Sequence, residues 1–125
     1  MTSQVRCYLL FLSYILPIIN NLNKEFQSER SRLPYLYSSI KSNFLLILSN
    51  FIKKELVSGN TEYMKISNQL DVSYIFIGTK AESFAKENLT SSEIVEVESD
   101  VLKFYIELLD QLNRRFDFDR EDIKQ

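Results

Sequence analysis

The chain has 125 residues, which favours one domain and leaves no room for two of ordinary size. Hydrophobic residues at 45% and charged residues at 26% give an ordinary globular balance, so a soluble chain with a single core is expected. A formal net charge of −2, one cysteine and no histidine exclude several classes at once. The chain as a whole is no electrostatic magnet for DNA, and no intramolecular disulfide is possible. Ser-His-Asp and Cys-His catalysis and mixed Cys/His zinc sites are all ruled out.

Only two Gly and two Pro are present, which argues for long helices over a turn-rich β sandwich. The first helix is expected at about 4–27. Val5, Tyr8, Leu9, Leu12, Ile15, Leu16, Ile19, Leu22 and Phe26 fall on a helical stripe, with Leu10, Phe11 and Ile18 outside it. Pro17 should kink this helix. Its apolar run, Cys7 to Ile19, is 13 residues long, short of the roughly 20 a bilayer core requires. No small-residue cleavage site follows it, so a buried core helix is expected rather than a signal or anchor.

A polar stretch, QSERSR, separates this from a second helix at about 33–57. Its stripe is Leu33, Tyr37, Ile40, Phe44, Ile47, Leu48, Phe51 and Leu56, with Pro34 in the first turn and Gly59-Asn60 as the stop. Residues 58–90 are expected to hold a loop and one short helix. Within them 61–74 have no clean period, Tyr74–Ile77 is a brief strand or a buried turn, and Ala81–Glu87 is the short helix. Thr90 and Glu93 have capping-box spacing, which starts a third long helix at about 91–117. Its face is Ile94, Val97, Val101, Tyr105, Leu108, Leu112 and Phe116. Glu93, Glu96, Glu98 and Asp100 near its start and Arg114-Arg115 near its end suit the helix dipole. The fold class is therefore all-α: three long amphipathic helices with an irregular middle segment.

Chemistry is sparse. Cys7 sits in an apolar run and reads as a small buried hydrophobe, with no histidine to generate its thiolate. Asp117, Asp119, Glu121 and Asp122 form the densest acidic cluster, and Glu96 and Asp100 share a helix face; both read as solvated surface rather than metal ligands. Lys53-Lys54 and Arg114-Arg115 read as solvated helix ends. With Gly59 and Gly78 the only glycines, no phosphate-cradling loop exists. Asn88-Leu89-Thr90 matches the N-glycosylation acceptor pattern, which matters only on a secreted chain. The seven tyrosines and nine phenylalanines fall mostly on the helical stripes, which favours core packing over base stacking. No catalytic, cofactor-binding or metal-ligating residue is assigned.

Four strings carry a family signal: FLSYILPIINNLNKEFQSE at 11–29, LYSSIKSNFLLILSNFIKKELV at 36–57, YIFIGTKAESFAKENLTSSEI at 74–94 and FYIELLDQLNRRFDF at 104–118. Taken in order they resemble hAT-superfamily transposase-like proteins, which include domesticated relatives carrying BED, MYM or SCAN-type modules. The resemblance points to the helical insertion that interrupts an RNase H-like α/β core bearing Asp, Asp and Glu metal ligands. In active members that insertion helps assemble the dimer and hold DNA. The family's Cys-x-x-His pair has no counterpart in this chain, and no strand carrying a catalytic Asp can be placed. The resemblance thus implies a non-catalytic, nuclear, helical fragment of a larger fold. It would need no cofactor, bind no small molecule or membrane, pair with protein or with itself, and touch DNA only within its parent. The competing expectation is a stand-alone helical protein-interaction module unrelated to transposases.

Overall fold

A computed structural model describes residues 2–27, 33–58 and 62–116, and the side chains at 25–27, 33–37, 39–40, 72, 113, 115 and 116 are not among those described. The expectations for Phe26, Leu33, Tyr37, Ile40, Gly59, Asn60, Arg115, Phe116 and the acidic tail at 117–122 therefore lie outside the described residues.

The fold is all-α. Helix α1 spans Ser3–Gln27, α2 Leu33–Ser49, α3 Thr79–Asn88 and α4 Ser91–Phe116. Short 3₁₀ turns at Lys54–Leu56, Ile66–Asn68 and Val72–Tyr74 punctuate the connection between α2 and α3. Helix α1 packs against α2, α3 and α4, and α2 also meets α4, so three long helices enclose the core and α3 caps one side of α1.

The core faces differ from the expected stripes in an instructive way. On α1 the buried positions are Cys7, Phe11, Ile15 and Leu22, spaced by whole helical turns. Phe11, expected outside the stripe, is 2% exposed, and its ring meets Phe104 and Tyr105 of α4 edge-on at 5.4 and 5.5 Å. Leu10 and Ile18 are half-buried against the same core. Val5, Leu9 and Leu16, expected inside, are 44%, 47% and 44% exposed. The reason is that α1 is apolar around more than half its circumference, so periodicity alone does not say which part faces inward. On α4 the buried set is Val97, Val101, Tyr105, Leu109 and Leu112, with Leu108 and Ile94 half-buried beside it.

Helix α2 ends at Ser49, short of the expected 57. Phe44, Ile47, Leu48, Phe51 and Ile52 continue a helical apolar rhythm, which is why the sequence reads as helix. A returning segment takes over the backbone instead. The amide of Lys53 donates to the Asn68 carbonyl at 3.0 Å, that of Leu70 to Phe51 at 2.8 Å, and that of Phe76 to Asn50 at 2.9 Å. Ile52 and Gln69 form an isolated antiparallel bridge. The apolar side chains stay inside while the hydrogen bonds come from another part of the chain.

Residues 75–77 form neither a strand nor a helix, and Ile75 and Ile77 are buried at 1% and 2% exposure. The capping box forms as expected: the Thr90 amide donates to Glu93 Oε1 at 2.9 Å and the Glu93 amide to Thr90 Oγ1 at 3.2 Å. Pro17 lies within α1, which continues through it to Gln27.

Candidate functional site

One cluster of polar groups inside this fold gathers at Asn50, the residue where α2 gives way to the connection. Asn50 is 6% exposed. Its side-chain amide donates to the Tyr14 hydroxyl of α1 at 2.8 Å and to the Tyr105 hydroxyl of α4 at 3.2 Å. Tyr105 in turn donates to the Phe76 carbonyl at 2.7 Å. One asparagine thus joins three long helices and the 75–77 segment. The Tyr105 ring stacks on Phe51 at 5.5 Å with 9° between planes, so the same residue anchors both the polar and the apolar packing. Burial, with Tyr14 nearby, pushes the Tyr105 phenol well above its ordinary range and keeps it a hydrogen-bond donor.

Gly78 opens α3 at φ 100°, in the left-handed region, and a Cβ placed there would stand 2.8 Å from Tyr14 Cβ. A glycine is therefore required twice over, by backbone conformation and by the closeness of α1.

A second polar seam runs between α1 and α4. Gln4 Nε2 donates to Glu96 Oε2 at 2.7 Å, and the Tyr8 hydroxyl donates to Asp100. Burial first and the Asp100 hydrogen bond second push the Tyr8 phenol up. Glu96 and Asp100 are thus helix-pairing acceptors, a role that spacing along α4 does not reveal because the donors lie on α1.

Cys7 is fully buried and its thiol donates weakly to the Ala81 carbonyl at 3.6 Å. Burial pushes the thiol up and the Glu98 carboxyl adds to that, so the thiolate a nucleophile needs is disfavoured. Among the described residues, no three His, Cys, Asp or Glu side chains gather to hold a metal ion. Lys53, Lys54 and Arg114 are exposed, and Asn88 donates its side-chain amide to the Phe84 carbonyl within α3 at 3.0 Å.

What remains is surface. A cleft of ≈ 450 Å³ lies between the ends of α1 and α4, lined by Ile19, Leu22, Leu108 and Leu112 with Asn23 and Arg114 at its rim. A shallower groove of ≈ 270 Å³ runs between α1 and α3, lined by Arg6, Leu9, Leu10, Ser13 and Phe84. Val5, Leu9 and Leu16 project from the outer side of α1, roughly 140° around the helix from the core stripe. No charged residue occurs from Cys7 to Asn23. By length and composition the span Ser3–Lys24 also meets the requirement for crossing a bilayer, which the shorter apolar run read from the sequence does not. The same helix supplies Cys7, Phe11, Ile15 and Leu22 to the protein core, and 22% of that span's most apolar stretch is buried.

No protein-family model, curated protein or solved structure matches this chain.

Proposed function

We propose that this chain is a non-catalytic helical assembly unit whose outer α1 face is covered by a second copy of itself. The observation that carries the reading is the row Val5, Leu9 and Leu16, each close to half exposed on a helix whose opposite side is fully used by the core. From Cys7 to Asn23 this face carries no charge, with Arg6 at its edge beside Leu9, and self-pairing doubles the apolar surface removed from water.

Magnitude bounds the strength of such pairing. Covering the exposed half of three aliphatic side chains is worth about 3 kcal/mol per copy, so about 6 kcal/mol for a pair. Association costs about 4 kcal/mol or more. The net gain is about 2 kcal/mol at most, so pairing through these three side chains alone is very weak, with a dissociation constant of about 30 mM, and shows only at the highest attainable protein concentrations. Sedimentation velocity over a concentration series tests this. The sedimentation coefficient of the native chain should rise with concentration, and a Leu9→Ser/Leu16→Ser variant should stay monomeric. A concentration-independent monomer that instead partitions onto neutral lipid vesicles would replace the reading with a bilayer contact.

The hAT-like reading supplies a parent for the unit: the helical insertion of a transposase-like protein, where assembly is the insertion's task. Its support is the order of the four strings along the chain. A BED-type finger or a catalytic Asp strand encoded upstream would favour that parent, and a reading frame with neither would favour the stand-alone interaction module.

A further inference from the structure

Glu98 is 8% exposed, faces inward from α4 between Val97 and Val101, and has no hydrogen-bond partner among the described residues. Buried carboxylates normally have several partners, because an ion removed from water without them is costly. The ionisable groups facing it come from each neighbouring element and are all acids. They are Glu82 on α3, Asp71 at the start of the 72–74 turn, and the Cys7 thiol on α1. The turn itself packs on α4, and α3 is held to α1 through the Cys7–Ala81 contact. Glu98 is therefore buried on the helix against which the 72–74 turn packs, with the Glu82 and Asp71 charges acting on it, in a place suited to a neutral carboxylic acid and unsuited to its anion.

We propose that Glu98 is a proton-dependent latch: as the acid it lets the 71–82 segment close on α4, and as the anion it favours opening of that segment toward water. The step is a simple ionisation in which the proton passes to solvent and no bond between heavy atoms changes. Opening rehydrates the carboxylate and separates it from Glu82 and Asp71, which removes both penalties together.

The direction of the titration agrees with the geometry. Burial first, then Glu82 and Asp71, push the Glu98 carboxyl from 4.5 up to about 7. An acid raised in the closed form makes closure less favourable as pH rises from its open-form value to its closed-form value, and the loss levels off above about 7. With those two values, the opening equilibrium should grow about tenfold between about pH 6 and about pH 8.

Hydrogen exchange read residue by residue tests the latch, using protection factors that already correct for the intrinsic rate. The amides of Phe76 and Glu82, bonded to Asn50 and Gly78, report the 71–82 cover. The amides of Val101 and Tyr105 report α4. In the native chain, protection at Phe76 and Glu82 should fall about tenfold from about pH 6 to about pH 8 and stay below that of Val101 and Tyr105 at every pH, because the cover opens without α4. In Glu98→Gln the cover should keep its protection. Protection at Phe76 and Glu82 equal to that of α4 at every pH, or a fall that persists in Glu98→Gln, would overturn the latch. If Glu98→Gln does not fold, the carboxyl carbon of Glu98 in the native chain, followed by NMR, decides the matter alone. A midpoint near 7 that drops in Glu82→Gln/Asp71→Asn supports the proposal, and a midpoint at the ordinary glutamate value contradicts it.

Discussion

The side-chain amide of Asn50 donates to the hydroxyl of Tyr14 at 2.8 Å, tying the end of α2 to the middle of α1 across 36 residues of chain. Because Asn50 also reaches Tyr105, its loss would leave the part-buried Tyr14 hydroxyl and the Tyr105 hydroxyl each short of a donor. Replacing Asn50 by Leu should therefore destabilise the fold by about 2 kcal/mol or more, as the cost of unsatisfied buried polar groups. Tyr105→Phe should cost about 1–3 kcal/mol, since it removes the donor to the Phe76 carbonyl while keeping the ring stack on Phe51. Chemical denaturation of the two variants beside the native chain checks both values.

Gly78 allows a sharper test. Alanine there meets Tyr14 Cβ at 2.8 Å and must also adopt φ 100°. Gly78→Ala should lose about 2 kcal/mol or more of stability, and pairing it with Tyr14→Gly, which removes the opposing Cβ, should relieve the clash but not the backbone strain. A thermal-unfolding double-mutant cycle would then show coupling between the two positions. Additive losses would show that the close approach carries no energy.

The capping box at the start of α4 has a smaller expected effect. Thr90→Ala removes the oxygen that accepts from the Glu93 amide, and should cost about 1 kcal/mol. Thr90→Asp should restore most of it, because an aspartate accepts the same bond and suits the positive helix end. Melting temperatures of the two variants distinguish cap loss from a general effect at the site.

How far the sequence revealed this fold follows from what each signal encodes. The capping box, the Val97, Val101, Tyr105 and Leu112 part of the α4 face and the burial of Cys7 follow from local features and hold in the folded chain, while Leu109, not Leu108, completes that face. The end of α2 was hidden, because Phe51 and Ile52 keep a helical rhythm and still donate to Leu48, while the Phe51 carbonyl and the Lys53 amide turn to Leu70 and Asn68. The orientation of α1 was hidden for another reason: with Leu9 and Phe11 equally apolar, only the position of α4 decides that Phe11 goes inside. The roles of Asn50, Tyr8–Asp100 and Glu98 depend on partners far along the chain, so no spacing rule finds them.

The corrected orientation of α1 separates two substitutions that look alike in sequence. Phe11→Ser removes a fully packed ring and should destabilise the chain by about 3 kcal/mol or more. Leu9→Ser alters a half-exposed side chain and should cost the dilute chain only about 1 kcal/mol. Equilibrium denaturation at low concentration reads the difference.

The central claim, that the outer face of α1 meets a second copy, is tested most directly by placing a photo-activated crosslinker at Leu9 and, as control, at Lys86 on the exposed side of α3. Irradiation at high protein concentration should give covalent dimers from the Leu9 probe, with the linked peptide mapping to α1 of the other copy, and few from the Lys86 probe. Equal yields from both positions, or Leu9 links mapping only within the same chain, would contradict the claim.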